Sequence, residues 1–537
     1  MANRKLSRIC SVAALLCVAR LTANAQSFQV QCPTSTITHP STLHDNNSEP
    51  TYAGPTSLAP NSQGFLVPTA NVNGAIKCQQ ISGGDGFATM ADRTQTYLFS
   101  FGPLSGLKDM ADGKPGTEFP NVFNTANTGL KPGDPATANG IVPGTWPGFP
   151  LPTNALPYNG AVGLAPDADA IAGGLCTAPC LDGHVDPRQV MDVGVMNGNI
   201  PAPLMAIDED DEFFLTLTNV GMVMRPDLFE QHTVHFHGYP NASAFYDGVP
   251  DASVAINIGG SFTYYYLAPD AGTYFWHCHI TPPEHLQMGM VGQIYVRPRQ
   301  NRWNGDLYAG LAAQQGDLRT RCDSKDILCS NPLPKVETGA SNDGSKKYAY
   351  NDGDGSTRYD VEYPLQIHGF DPNFHFVGMT FNPEAFVDMK DKYFLLNGRS
   401  YPDTVTPGPL ATQSTDGAMH FSQPLPSIIN IPAGGRALLR VSDLDVTEYQ
   451  TLASLGIPMQ VIALNAKLLR DQAGNNLYYK TNSITLGGGE SLDVILDASD
   501  TSKYQRGDVY YLYTPNLDHL SNDAENFGGL MTEVRIN

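Results

Sequence analysis

The chain has 537 residues, enough for more than one domain, and a formal net charge of -21 with 16% charged residues. This acidic balance argues against nucleic acid or an anionic membrane surface as a partner, because like charges repel. Glycine (52) and proline (41) are plentiful, a composition typical of an all-β chain with long loops.

The N-terminal stretch predicts an export signal. Residues 1–25 start with basic side chains, continue with an apolar run from Ile9 to Val18 and end in Ala23-Asn24-Ala25, the order of a cleaved secretory signal. No later apolar run approaches the ~20 residues that span a bilayer. We therefore expect a periplasmic or secreted protein without a membrane anchor.

The cysteines fit an oxidising compartment. Of the nine, two lie in the predicted signal; setting aside Cys278 leaves an even number, which an exported protein would pair as disulfides. The pairs nearest along the chain are Cys32–Cys78, Cys176–Cys180 and Cys322–Cys329. The sequence leaves the connectivity open, and the odd thiol is available for a metal.

The pattern of the remaining chain predicts two β domains. Residues 26–85, rich in Ser, Thr, Pro and Asn, predict an extended N-terminal arm. Strand-like alternation marks a first β domain over 86–300, with a Gly/Pro-rich insertion at about 106–183. A short helix and linker over 301–362 lead to a second domain over 363–537.

Two features of the first domain could indicate a metal site but have simpler explanations. The acidic run Asp208–Glu212 is predicted to be a solvated turn between strands. Met222 and Met224 lie close to the histidine-rich strands and are predicted to pack in the core.

The most informative stretch begins with HTVHFHG, residues 232–238. Because side chains on a β-strand alternate between faces, His235 and His237 share one face. His232 lies an odd number of positions from both and takes the other face. Such a strand presents imidazoles on both sides of a sheet.

The stretch ends with HCHITPPEHLQMGM, residues 277–290, in which Cys278 takes the face opposite to its two histidine neighbours. Two such strands side by side form two sites back to back. One site gathers His232, Cys278, His285 and Met290, and the other gathers His235, His237, His277 and His279. A His2Cys set with a weak axial Met is typical of blue-copper electron-transfer sites, and clustered imidazoles suit copper, zinc or iron.

These motifs resemble a copper-binding cupredoxin domain of the multicopper oxidase family, which includes the laccases. The resemblance implies a type 1 copper held by His232, Cys278, His285 and axial Met290, a type 2 copper ligand in His235, and type 3 copper ligands in His237, His277 and His279. It also implies that electrons pass from Cys278 to His277 and His279. His285 departs from the family pattern, lying two residues further from the cysteine than usual.

The implied fold is all-β, with two cupredoxin-like Greek-key β-sandwich domains and long loop insertions. The second domain resembles the copperless middle domain of three-domain family members, since Gly456-Ile457-Pro458-Met459 and Tyr511-Leu512-Tyr513 stand where copper motifs would be. Its histidines form no HxH pair, and we predict structural roles for them. They are His368, His375, His420 and His519.

The resemblance implies an exported multicopper oxidase that couples one-electron oxidation of a phenol, metal ion or redox protein to reduction of dioxygen to water. The family's trinuclear cluster takes eight imidazoles and this domain supplies four, so we expect a homo-oligomer in which a neighbouring subunit completes the cluster. Two alternatives stay open. One is a copper nitrite reductase-like enzyme, and the other is a non-enzymatic blue-copper electron-transfer or copper-binding protein.

Overall fold

The computed structural model describes residues 31–537 except 107–108, 111, 124–197, 223–224, 226–227, 229, 239–242, 269, 316–330, 379–385, 414–418, 524 and 527. The predicted signal peptide, most of the insertion and Met224 lie outside the described residues. So do the cysteines of two proposed disulfides, which are Cys176, Cys180, Cys322 and Cys329.

The first half of the chain forms a β-sandwich of two four-stranded sheets. Its strands are β1 (Ser57–Pro60), β2 (Leu66–Ala70), β3 (Ile76–Thr89), β4 (Gln95–Pro103), β5 (Met205–Asp208), β6 (Glu212–Gly221), β7 (His235–Phe236), β8 (Ser261–Leu267), β9 (Gly272–His277) and β10 (Val291–Arg297). One sheet has the order β4-β3-β6-β8 and the other β5-β10-β9-β7, while β1 and β2 form a separate hairpin. Side chains from both sheets, including Phe99, Leu217, Trp276 and Ile294, share one core that also encloses Cys278 and Met222.

The second half forms another sandwich, from a seven-stranded and a five-stranded sheet. Its strands and those that lead to it are β11 (Asn304–Asp306), β12 (Ser341–Asp343), β13 (Lys347–Tyr348), β14 (Arg358–Tyr359), β15 (Val361–Phe370), β16 (Tyr393–Leu396), β17 (Leu410–Gln413), β18 (Met419–Ser422), β19 (Ile429–Ile431), β20 (Arg436–Asp443), β21 (Gln450–Leu455), β22 (Met459–Leu464), β23 (Lys467–Leu468), β24 (Tyr479–Thr481), β25 (Ser483–Leu486), β26 (Ser491–Asp497), β27 (Val509–Tyr513), β28 (Ser521–Asn522), β29 (Glu525–Asn526) and β30 (Met531–Ile536). The larger sheet has the order β16-β15-β20-β26-β22-β23, with β24 beside β22, and the smaller one β19-β30-β27-β21-β25. Aliphatic side chains from both sheets form a separate core.

Helices are short in the described residues. They are α1 (Pro120–Phe123), α2 (Pro282–Gln287), α3 (Leu307–Gln314) and α4 (Pro372–Gly378). The Asp306 side chain caps α3 by accepting a hydrogen bond from Ala309 N at 2.8 Å. No helix in the described part of the chain has the length and apolar character needed to cross a membrane.

The predicted all-β fold class is confirmed, but the first sheet starts earlier than the sequence indicated. Strand β3 begins at Ile76, within the 26–85 stretch predicted to be an extended arm. Nearly every residue of β3 is buried, so its sequence shows no alternation of apolar and polar residues. The predicted disulfide between Cys32 and Cys78 is present and ties the preceding segment to this strand.

The acidic run Asp208–Glu212 is buried, so the prediction of a solvated turn was wrong. The sequence could not show this, because the neutralising cations come from other segments of the chain: Arg299 pairs with Asp210, and Lys77 pairs with Asp208 and Asp211. The Lys77 ammonium lies 2.9 Å from Asp208, 3.0 Å from Asp211 and 2.6 Å from Glu49. A lysine therefore occupies the position between three carboxylates that a metal ion would otherwise take.

Buried polar contacts join the two sandwiches. Glu362, in β15, accepts hydrogen bonds from Arg297 Nε of the first unit at 2.8 Å and from Arg440 Nε of the second at 3.0 Å. The Thr273 hydroxyl, in β9, donates to Asp493 in β26 at 2.6 Å. These bonds hold the sheet that contains β9 and β10 against the larger sheet of the second sandwich.

Glu362→Gln should lower the free energy of unfolding by about 3 kcal/mol near neutral pH, because the buried Arg440 and the partly buried Arg297 lose their counter-charge. Burial opposes ionisation of this carboxyl, but the two arginines lower its pKa from 4.5 to about 2. Its contribution is therefore present above about pH 4.5 and is lost as the pH falls toward 2. Denaturant unfolding of both proteins should give a smaller difference at about pH 3 than near neutrality; equal differences would contradict this role.

Candidate metal centre

The first predicted group surrounds Cys278, directly after β9. One ligand atom each from His232, Cys278 and His285 lies within 4.8 Å of the others. The His285 Nδ1 atom is 3.3 Å from Cys278 Sγ, and all three residues are buried. Two imidazole nitrogens and one sulfur suit a His2Cys copper site. We call these three residues, with Met290, the cysteine site.

Met290 lies beside two of these residues through its backbone. Its carbonyl accepts a hydrogen bond from Cys278 N at 3.0 Å, and its N–H donates to the His285 carbonyl at 2.8 Å. Its side chain and that of Met288 are both buried in the core around Cys278. The backbone thus fixes Met290 next to the residues with which it was predicted to bind copper.

The donor set of the cysteine site fits a metal ion. Among the described residues, neither ring nitrogen of the buried His232 has a hydrogen-bond partner. Leaving buried polar atoms unpaired costs on the order of 1–3 kcal/mol. A copper ion bound by an imidazole lone pair would offset part of this free-energy cost. In a purely structural histidine the cost would stay uncompensated.

The surroundings favour the thiolate, the form of cysteine that binds metals. Burial opposes it, but the His285 ring and the Thr233 N–H, 3.4 Å from Sγ, hold the pKa of Cys278 below its usual value. Burial likewise opposes a charged imidazole, yet Cys278 and Glu230 raise the pKa of His285 to about 9. The sulfur is therefore prepared for coordination before a metal arrives.

The unusual position of His285 along the chain is explained by α2. Pro282 and Pro283 occupy the first positions of this helix, where a missing backbone N–H has no cost. Thr281, just before them, has a φ of 37° and turns the chain sharply. The added residues thus start a helical turn that brings the His285 ring back to Cys278.

The second predicted group lies on the opposite side of the same strand. His235 in β7 pairs with His277 in β9, and His237 Nε2 is 2.9 Å from His277 Nε2. Ligand atoms of these three residues lie within 4.8 Å of one another. The His279 ring is adjacent, with its centroid 5.1 Å from that of His235 and 5.4 Å from that of His277. We call these four residues the histidine face.

Backbone carbonyls orient two rings of the histidine face. His235 Nδ1 lies 2.7 Å from the Asp247 carbonyl, and His277 Nδ1 lies 2.6 Å from the Cys278 carbonyl. A proton on Nδ1 satisfies each carbonyl and leaves the Nε2 lone pair for a metal. Burial and neighbouring imidazoles lower the pKa of His237 to about 4 and that of His277 to about 3, so both rings are neutral near neutral pH.

A cavity of about 670 Å³ separates the histidine face from the second sandwich. His237 and His277 line one side, and residues 445–449 and 487–490 line the other. Gly489 has a φ of +89° and lies against the His237 ring. Among the described lining residues the second sandwich contributes carboxylates and no imidazole, so the missing cluster ligands predicted from the sequence are not found on this wall.

Comparison with known proteins agrees with this chemistry. A family model described as multicopper oxidase matches residues 182–301. This matched segment contains both ligand groups. The chain is 34% identical over 109 residues to laccase abr2 of Aspergillus fumigatus, a match covering 20% of this chain and 17% of the laccase. A copper-containing nitrite reductase of Rhizobium meliloti is 34% identical over 114 residues, covering 20% of this chain and 27% of that protein.

Among solved structures, the blue copper oxidase from Nitrosomonas europaea aligns with 63% of this chain and 78% of its own, at a TM-score of 0.41 and 22% identity. The chain spans about a fifth or less of the length of the laccases it matches. The family-model match and the two His/Cys groups together confirm copper as the predicted cofactor. The ligand assignments within the domain stay predictions.

Sequence reasoning missed residues that contact the ligands without being ligands. Thr233 donates its N–H to Cys278, and its hydroxyl accepts from His279 N at 2.9 Å. Glu230 is two positions before His232, so the strand alternation that placed the histidines could have indicated it. The Asp247 carbonyl could not have been found, because a backbone acceptor has no signature in the sequence.

Cys278→Ser should abolish the blue absorbance of the copper-loaded protein, because serine does not supply a thiolate near neutral pH. Visible absorbance and copper content, measured together, would test this. The variant should lose the blue band but keep the copper bound at the histidine face. Met288→Leu is the matched control, since it changes a buried methionine next to the site at nearly constant volume and should keep the colour. A serine variant with its full blue band would refute the assignment of Cys278.

Proposed function

We propose that the chain is an exported copper oxidase, which takes single electrons from a phenol or metal ion and reduces dioxygen to water. The cysteine site would hold a type 1 copper through His232, Cys278, His285 and Met290. The histidine face would hold type 2 and type 3 copper through His235, His237, His277 and His279. Copper supplies the one-electron redox chemistry that protein side chains lack.

One observation carries this proposal: the two ligand groups lie on opposite sides of one short segment. Cys278 contributes its sulfur to the cysteine site, while its direct neighbours His277 and His279 belong to the histidine face. The Cys278 carbonyl also accepts a hydrogen bond from His277 Nδ1 at 2.6 Å. A few covalent bonds and one short hydrogen bond thus connect the sulfur with the imidazoles, as an electron relay requires.

The donor is proposed to approach Glu230, which connects the buried His285 ring with the surface. The His285 Nε2 atom is 3.4 Å from Glu230 Oε2, and the Glu230 side chain is 26% exposed although the His285 ring is fully buried. A partly exposed carboxylate next to a ligand ring attracts a cationic donor, and it can accept the proton that a phenol loses on oxidation.

Export and assembly complete the proposal. The disulfide between Cys32 and Cys78 suits an oxidising compartment, as does the signal predicted in residues 1–25. A second copy of the chain would supply imidazoles across the cavity at His237 and His277, because the facing wall of the same chain has none among its described lining residues.

A nitrite reductase-like activity is the second candidate, supported by the similarity to a copper-containing nitrite reductase over 114 residues. The tight grouping of three imidazoles, those of His235, His237 and His277, is also compatible with a single copper ion. A simple electron carrier would use the cysteine site alone.

Oxygen should restore the blue absorbance of copper-loaded protein that has been chemically reduced. The measurement is stopped-flow absorbance after mixing with oxygenated buffer, with oxygen consumption followed in parallel. Return of the colour only with nitrite would favour the nitrite enzyme. If neither oxygen nor nitrite restores the colour, both enzymatic proposals are contradicted and the electron carrier is favoured.

His235→Ala combined with His279→Ala should leave the blue band and stop oxygen uptake, because these rings belong to the histidine face alone. The matched control is His39→Ala, which removes a buried histidine paired with Glu212 at 2.7 Å, away from both groups. Unchanged oxygen uptake in the double variant would eliminate the histidine face as the site of oxygen reduction.

Glu230→Gln should raise KM for a cationic donor more than for a neutral phenol, because it removes the charge beside His285. Steady-state kinetics with both donor classes would measure the ratio. Equal effects on both would show that Glu230 does not contribute electrostatic attraction of the donor.

A further inference from the structure

The second sandwich holds the backbone of the copper-binding helix α2. The His368 Nε2 atom lies 3.0 Å from the carbonyl oxygen of Leu286, the residue that follows His285. A carbonyl can only accept, so the imidazole donates. His368 is buried, and among the described residues its Nδ1 atom has no hydrogen-bond partner, which fits a neutral ring whose single proton is directed at α2.

The next residue, Gln287, is held by the same sandwich through its side chain. Gln287 Nε2 donates to Asp391 Oδ1 at 3.0 Å, and Oε1 accepts from Asp371 N at 3.0 Å. Gln287 is completely buried, so water does not compete for these bonds. Both hydrogen-bonding ends of its amide are therefore directed at the second sandwich.

His375 supports the same helix end from α4. Its Nε2 atom is 3.0 Å from the Gln287 carbonyl, and its Nδ1 atom is 2.6 Å from the Tyr97 carbonyl of β4. A neutral ring has one N–H and serves one of these carbonyls at a time. The ring also stacks on Phe370, with centroids 3.7 Å apart, which fixes its plane between the first sandwich and α2.

These contacts satisfy a need of α2 itself. The last carbonyls of any helix lack partners within the helix, and a helix of six residues has little stability of its own. Here the Leu286 carbonyl accepts from Gly289 N at 2.9 Å, and the second sandwich adds the His368 bond to the same carbonyl and the His375 bond to the Gln287 carbonyl. The end of the helix that follows His285 is therefore in direct contact with the second sandwich.

We propose that the second sandwich, which has no copper motif, acts as a clamp on the cysteine site, with His368 of that sandwich and Gln287 of α2 as the positioning residues. The clamp fixes the position of α2. It thereby fixes the direction of the His285 ring and the path of the backbone from α2 to Met290. It assigns a function to histidines for which the sequence indicated only a structural role. This inference rests on the proposed type 1 copper site but not on the reduction of oxygen.

The test is His368→Leu in the full copper-loaded chain, read by the blue absorbance, the copper hyperfine splitting, the reduction potential and the copper affinity. Loss of groups that orient metal ligands typically weakens metal binding ~10–100-fold, and we expect a weakening in this range at the cysteine site with a shifted spectrum and potential. His368→Gln, which can still donate a hydrogen bond, should recover much of the wild-type spectrum.

The matched control is His519→Leu. His519 is another buried histidine of the second sandwich, stacked on Phe394 and bonded to Gln450 and Glu448 of its own unit. Its loss should lower thermal stability without changing the spectrum, potential or copper affinity. Gln287→Met removes both side-chain hydrogen bonds with little change of volume and should reproduce the effect of His368→Leu. If His368→Leu does not fold, Gln287→Met is measured in its place.

Wild-type spectrum, potential and copper affinity in both His368→Leu and Gln287→Met would overturn the clamp. Equal spectral changes in His519→Leu would also overturn it, because the effect would then follow general destabilisation. The two proposals fail separately: a wild-type protein without a blue band contradicts the type 1 site, whereas a blue protein whose variants are unchanged contradicts only the clamp.

Discussion

The alternation of side chains across one β-strand is the constraint on which the rest of this structure depends. At 277–279 a thiol and two imidazoles leave the backbone in opposite directions, so two ligand groups form within a few bonds of each other. Such density of buried polar atoms is costly unless metal binds or hydrogen bonds form. The surrounding carbonyls, the Thr233 N–H and the helix that carries His285 meet this need from both sides of the sheet.

The sequence predicted those features that depend on local periodicity. The all-β class and the two ligand groups could be derived from alternation and motif spacing. The cysteine number indicated disulfides, but the Cys32–Cys78 pairing was only the nearest neighbour along the chain. The start of the first sheet at Ile76 could not, because a strand buried on both faces loses the alternation by which strands are recognised. The burial of Asp208–Glu212 was also missed, since its compensating Lys77 lies far away in the chain.

Contacts between the sandwiches were the largest part of the site that the sequence could not reveal. Neither His368 nor Gln287 belongs to a motif in its own segment. The packing of the second sandwich against α2 brings His368 to the Leu286 carbonyl and Asp391 to the Gln287 side chain. The same packing places a glycine-rich turn against His237 and leaves a cavity beside it. The second sandwich therefore shapes both ligand groups, although it has none of the histidine motifs that mark the first.

The buried salt bridges of Glu362 and the bonds of Gln287 belong to one continuous boundary between the sandwiches. Because this boundary also contacts the helix that carries His285, the colour of the proposed type 1 copper would depend on contact between the two sandwiches. During gradual denaturation, separation of the sandwiches would bleach the protein while both sheets still gave their full β-type circular dichroism. The blue absorbance would thus report an early step of unfolding, the separation of the two sandwiches, that circular dichroism does not detect.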